Sequence, residues 1–263
     1  MSTAPATHSL DRQGPIAWLT FTRPDKANAL SYQALAELEQ TALSLGEDVE
    51  TKVVVLTGMG KHFSSGADLS DAGSNPKNLL QRQRHNRMGE RAIKAVYGMD
   101  QITIAAWNGA AMGGGACVAT ACDLRIGGED CFMQYPEIDI GMNLMWQSLP
   151  LLTHLVGPAR AKRLVIGAER VGARQLEQWG LLDQLVPNAK LLDTAAAWAQ
   201  RYADKPPIPA QMIKRSVNHI VSALDAAIMH MDADQNLLTQ QTQDRAKAIE
   251  GYLNKTQAEF SGN

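Results

Sequence analysis

Trp107-Asn108-Gly109-Ala110-Ala111-Met112-Gly113-Gly114-Gly115-Ala116-Cys117 is the stretch that decides the fold of this chain. It follows an apolar run at 102–106 with strand character and opens a helical segment from 114 to about 122. Three successive glycines let the backbone turn sharply and leave no Cβ in the way of an approaching ligand. The first amides of a helix have no intrahelical acceptor and lie at the positive end of its dipole. Such a turn suits an anion, either a phosphate or an oxyanion that develops during a reaction. It suits equally the plainer alternative, in which glycines only permit close packing of helix on strand.

Upstream, Phe63-Ser64-Ser65-Gly66-Ala67-Asp68-Leu69 is a second glycine-centred loop, after a continuous apolar run at 53–57 of the kind that forms a strand covered on both faces. An oxyanion hole needs two donors converging on one oxygen, and two such loops at the ends of adjacent strands could supply them. Residues 16–21 read as a strand, and Arg23-Pro24-Asp25-Lys26 as a loop. Ser31 is placed to cap a helix through about Leu45, with Leu35, Leu38, Ala42 and Leu45 at helical spacing. Residues 78–99 read as a helix with a basic side (Arg82, Arg84, Arg87, Arg91, Lys94), and residues 124–126 and 131–133 as short strands around a turn. From Ser148 onward the pattern is helical, interrupted at Gly157-Pro158, Gly167 and Gly180, with Pro206-Pro207-Ile208-Pro209 between two long helical stretches. The chain therefore reads as an α/β core over residues 1–195 and a helical region over 196–263. Met229, Leu237, Leu238 and Ile249 give the tail apolar faces that suit either neighbouring subunits or the chain's own core.

Composition excludes several classes. The 263 residues carry a net charge of −2, so no strong field draws the chain to nucleic acid or an anionic membrane, and any phosphate-bearing ligand must be held locally. The basic side of 78–99 is the one feature that leaves nucleic acid open, and a solvated face accounts for it. Cys117, Cys122 and Cys131 have no histidine at metal-ligand spacing, which argues against a disulfide framework or zinc site and fits a reducing, cytoplasmic compartment. Residues 1–10 lack the pattern of a signal peptide. The uncharged stretch 101–122 has the length of a membrane span, but Asn108 and four glycines break it, and strand, turn and helix explain it better.

Taken together, these segments resemble the crotonase family, the enoyl-CoA hydratase/isomerase group. The match lies in Arg-Pro-Asp-Lys-Ala-Asn-Ala-Leu at 23–30, Phe-Ser-Ser-Gly-Ala-Asp-Leu at 63–69 and Asn-Gly-Ala-Ala-Met-Gly-Gly-Gly at 108–115. It continues through Cys-Asp-Leu-Arg-Ile at 122–126, Pro-Glu-Ile at 136–138, Trp-Gly-Leu-Leu-Asp at 179–183 and residues 214–218, in family order over nearly the whole chain. The resemblance implies a spiral of ββα units with a helical C-terminal trimerisation region, a homotrimer or dimer of trimers, acyl-CoA thioester substrates, and no metal or redox cofactor. It implies that the amides of Ala67 and Gly114 form an oxyanion hole for the thioester carbonyl. Ala67, Asp68, Leu69 and Ser70 would border the CoA arm, with Lys26 and Ala27 near its adenine and phosphates. For Lys26 a solvated loop lysine is an equal reading.

Glu137 matches one of the two catalytic glutamates of the hydratases. At the other, three residues after Gly114, this chain has Cys117, one helical turn on and beside the same site. Hydration needs one group to activate water and another to deliver a proton, whereas one carboxylate suffices to move a double bond. Asp139 complicates this, because strand alternation would put it on the side of Glu137, as a second acid or as a structural aspartate. Cys117 itself reads as a packing residue rather than a nucleophile. Met142, Leu144, Met145 and Trp146 line a pocket or belong to the core. The expectation is isomerisation of an enoyl-CoA with Glu137 as single acid/base. The alternatives are a hydratase of 2-enoyl-CoA and a non-catalytic acyl-CoA-binding or interaction module.

Overall fold

The structure is a computed structural model that describes residues 6–74 and 78–263, so residues 1–5 of the segment read for a signal peptide lie outside it. Strands β1 (His8–Gln13), β2 (Ile16–Phe21) and β3 (Val53–Gly58) are joined through helix α1 (Tyr32–Gly46). Ser31 caps that helix by accepting the Ala34 amide at 3.1 Å. Helix α2 (Leu79–Tyr97) begins with a reciprocal cap between Asn78 and Gln81. Its basic side is partly paired, Arg91 with Glu39 at 3.0 Å and Lys94 with Glu90 at 2.8 Å.

Strands β4 (Ile102–Trp107) and β5 (Ala110–Met112), helix α3 (Gly114–Ala121), and strands β6 (Leu124–Gly128) and β7 (Phe132–Gln134) follow. The uncharged stretch 101–122 is thus two strands and a helix, and among the described residues no helix is long and apolar enough to cross a membrane. Helices α4 (Ser148–Val156) and α5 (Pro158–Val165) break at Gly157, as the sequence implied. Strand β8 (Val171–Gly172), helix α6 (Ala173–Gln178) and strand β9 (Gln184–Val186) come next, two short strands inside a stretch that reads as helical. The chain ends in helices α7 (Leu191–Ala203), α8 (Pro207–Ser222), α9 (Ala226–Met229), α10 (Asp232–Thr239) and α11 (Gln243–Asn254).

One sheet runs in the order β1-β2-β3-β4-β6-β9, parallel except for β1, and a second runs β5-β7-β8. Residues 124–126 and 131–133 therefore do not form a hairpin: β6 belongs to the first sheet and β7 to the second. In the middle of the chain, β4-β5-α3 and β6-β7-α4 each lay one strand in each sheet and then a helix, the ββα unit that the resemblance implied. β3 is buried on both faces. Val54 and Leu56 point with Leu35, Leu38 and Ile93 into one core, Val53 and Val55 with Ile104, Ile126 and Ala195 into the other. Each fully buried valine contributes about 1.5–3 kcal/mol over its exposed state. The expected division at residue 195 falls inside α7, whose Ala195, Ala199 and Ala203 pack into the second core.

Several residues quoted for the family resemblance tie this frame together. Asp123 accepts from the Thr103 amide at 2.7 Å and from Lys214 Nζ at 2.7 Å, which docks α8 on the sheet. Arg125 is buried and donates to the carbonyls of Leu181 and Cys122.

Candidate active site

The two glycine loops meet. Ser64 pairs with β5 through Ser64 N to Ala110 O and Met112 N to Ser64 O, both 3.0 Å. Gly66, at φ +89°, presses so closely that a Cβ there would stand 2.6 Å from the Met112 carbonyl oxygen and 3.1 Å from the Gly114 nitrogen. Only glycine fits both the conformation and the space. The early loop braces the far side: Leu30 N donates to Gly66 O at 2.7 Å, Asp68 N to Leu30 O at 3.0 Å, and Arg23 pairs with Asp68 at 2.7 Å. Ala67 and Gly114 are thereby held side by side. Gly114 is the first residue of α3, and among the described residues neither its amide nor that of Ala67 donates a hydrogen bond.

Both line a cavity of about 160 Å³ together with Glu137 and Cys117. Glu137 lies in the 3₁₀ turn Pro136–Ile140, and its Oε1 sits where a Cβ on Gly113 would come within 2.6 Å. Its Oε2 is buried with no hydrogen-bond partner among the described residues. Burial, with a smaller push from the charge of Asp139, raises the carboxyl to about 7. Such a group exchanges a proton near neutral pH.

Cys117 is buried, and burial followed by the charge of Glu137 raises its thiol far above the ordinary value, so it stays protonated. That agrees with a packing residue. Asp139 corrects the strand argument: in a 3₁₀ turn, residues two apart do not share a face. Asp139 is exposed and lines a separate surface cleft with Ile138 and Ile166, not the Glu137 cavity.

Met142, Leu144, Met145 and Trp146 all line the cavity, and Leu144 and Trp146 are buried core residues as well. Trp146 is the largest surprise. It and Gln147 take left-handed φ values, +64° and +59°, and its indole fills the space beside the Cα atoms of Gly114 and Gly89, where a Cβ on either would collide with the ring. The bend is held by Asp232, which accepts the Gln147 amide at 2.8 Å, and by Gln147 Nε2 donating to Glu90 at 2.7 Å. Tyr252, from α11, also lines the cavity, and nothing in its local sequence signals this.

Lys26, Ala27, Asp68 and Ser70 do not line it. Lys26 is exposed, Ala27 accepts the Ser65 amide at 2.9 Å, and Asp68 faces an adjoining cavity. Leu69 borders both. Among the described residues no cluster of three or more His, Cys, Asp or Glu is placed to hold a metal ion.

The profile of the enoyl-CoA hydratase/isomerase family matches residues 11–263, and the chain belongs to that family. It is 27% identical to the short-chain-enoyl-CoA hydratase of Clostridium acetobutylicum, over 95% of each chain. It is 33% identical to a probable enoyl-CoA hydratase of Mycobacterium tuberculosis, over 83% of this chain and 79% of that one. The crystal structure of an enoyl-CoA hydratase/isomerase from Pseudoalteromonas atlantica superposes with a TM-score of 0.88, at 22% identity, over 97% of this chain and 100% of that chain, a likeness of fold.

Proposed function

We propose that this enzyme shifts the double bond of an enoyl-CoA, with Glu137 as its single acid/base. The observation that carries the reading is the cavity lining, in which Glu137 is the one carboxylate among the described residues. The thioester carbonyl sits against the unpaired amides of Ala67 and Gly114, which stabilise the charge that develops on its oxygen. The Glu137 carboxylate takes a proton from C2 of a 3-enoyl-CoA. The electron pair delocalises into the thioester as a dienolate, and the same carboxyl returns the proton at C4. The double bond moves from C3–C4 to C2–C3 with no other reactant. A carboxyl near 7 serves both half-steps. In this reading no metal or redox cofactor takes part, Cys117 borders the acyl group, and the CoA arm runs along Asp68, Leu69 and Ser70 towards Lys26 and Ala27.

The names of the relatives favour a second reading, hydration of 2-enoyl-CoA. It lacks a second acid in the cavity, since Cys117 keeps its proton and Asp139 lies elsewhere. Separate incubation with a 3-enoyl-CoA and a 2-enoyl-CoA, with chromatography of the products, decides between them. Conversion of the first alone supports the isomerase, a 3-hydroxyacyl-CoA from the second supports the hydratase, and binding without turnover overturns both.

The proposed assembly is a homotrimer or dimer of trimers in the cytoplasm. Its support is the apolar face left exposed on α8 and just beyond, at Ile213, Val217, Ile220 and Leu224. Beside that face lies an apolar cleft of about 590 Å³ lined by Ile213, Val217, Leu151 and Leu155.

A further inference from the structure

A second cavity, about 220 Å³, adjoins the first, and Ala67, Leu69, Met142, Met145 and Trp146 line both. It differs in the number of titratable groups that face it. The titratable groups that face it are Tyr32, Asp68, Asp71, Arg82, His85 and Arg245. Asp68 is engaged by Arg23 at 2.7 Å, and Asp71 accepts the Tyr32 amide at 2.8 Å at the start of α1. The two arginines have no such counter-charge: among the described residues neither forms an ion pair. Arg82 Nη2 donates to the neutral Gln240 Oε1 at 2.7 Å, and Arg245 Nη1 is buried with no hydrogen-bond partner among the described residues. Burial and then the charge of Arg82 hold the Arg245 guanidinium below its ordinary pKa, as expected of two cations facing one space.

Arg245 is also rigidly placed. Its Cα packs against Gly141, four residues after Glu137, so closely that a Cβ there would come within 2.7 Å, and its amide is capped by Thr242 at 3.1 Å. A half-buried guanidinium with one buried, unpartnered nitrogen, facing the same cavity as a second arginine, is an incomplete site for a carboxylate, which it can grip through two parallel hydrogen bonds.

We propose that this cavity binds a carboxylate at the far end of the acyl chain, so that the substrates are CoA thioesters of dicarboxylic acids. This rests on the reading that the thioester lies in the Glu137 cavity. The acyl chain then crosses the shared wall at Leu69, Met142 and Met145, and Arg245 and Arg82 close on its terminal carboxylate.

The test uses the full chain and saturated thioesters, which have no double bond to move, in titration calorimetry. Glutaryl-, adipyl- and pimelyl-CoA are compared with pentanoyl-, hexanoyl- and heptanoyl-CoA. The expected result is that at least one dicarboxylic thioester binds about tenfold or more tighter than its partner of equal length. In Arg245→Met and Arg82→Met, which keep the apolar stems, that ratio falls towards one, with thermal melting as the check on folding. Equal binding of every pair in the unsubstituted chain overturns the proposal while leaving the acyl-CoA reading intact. An equal loss for both members of each pair in folded variants overturns it too, because the arginines then serve the CoA portion. Failure of all six thioesters to bind overturns the acyl-CoA reading itself.

Discussion

At the scale of single residues the chemistry rests on Glu137, whose carboxyl is raised to about 7, chiefly by burial, in a cavity whose other lining residues are apolar or neutral. Glu137→Gln is expected to lower kcat by about two to four orders of magnitude with CoA-ester binding largely kept, as for a lost general acid/base. Steady-state kinetics with calorimetric binding check this. The pH dependence follows from the direction of the shift. The base is the ionised form, so kcat/KM for isomerisation should rise with pH through about 7 and then level. Stability runs the other way, because a carboxyl raised above its ordinary value binds more protons folded than unfolded. The folded state therefore loses stability as pH climbs from about 4.5 to about 7, by up to about 3 kcal/mol. Glu137→Gln should remove that decline in denaturation curves. The residue-scale test of the single-acid argument is Cys117→Glu, which should create or increase hydration of 2-enoyl-CoA. Overpacking there costs about 1–3 kcal/mol, so stability must be measured alongside. A folded variant that binds CoA esters and gains no hydration would show that position 117 does not reach the β-carbon.

At the scale of elements the site is a junction of loops from opposite ends of the chain. The start of α3 is shaped by Trp146, whose indole takes the space a side chain on Gly114 would need. Gly114→Ala should therefore be strongly destabilising alone, and Trp146→Ala should cost about 3–5 kcal/mol through the cavity it leaves. In the double variant the new methyl has room. The two effects should fall short of additivity by about 0.5–3 kcal/mol, measured by urea denaturation. Strict additivity would mean that the indole does not constrain Gly114. Gly114→Pro, the simplest probe of the amide, confounds two effects here, because its ring meets the same indole.

At the scale of the whole molecule the helical carboxy-terminal region does two jobs. One side closes the site, with α10 supplying Asp232 to the Trp146–Gln147 bend and α11 supplying Arg245 and Tyr252 to the cavities. The other side exposes Ile220 and Leu224, at 77% and 82% of their surface. Charges there should weaken self-association without touching Glu137. Ile220→Glu with Leu224→Glu is expected to shift sedimentation velocity from an oligomer to a monomer. An unchanged sedimentation coefficient would move the interface elsewhere.

What the sequence determined by itself is local. Ser31 and Asn78 begin their helices, the apolar run of β3 is buried on both sides, and the two glycine loops follow strands, because caps, periodicity and glycine freedom act over a few residues. Gly114 stood out for the same reason, in the glycine turn that opens α3, whereas Glu137 stood out only through its match to a motif of the family. The tertiary structure decided what depends on packing between distant segments. Asp139 turned away because the segment is a 3₁₀ turn, and β6 and β7 parted into two sheets. β8 and β9 are too short to carry a periodic signal and exist through their partners. The left-handed bend at Trp146, and Arg245 reaching a cavity more than a hundred residues from Glu137 in sequence, are products of the same cause. No local preference favours them, and each is held in place by contacts that form only when the helices close over the sheet.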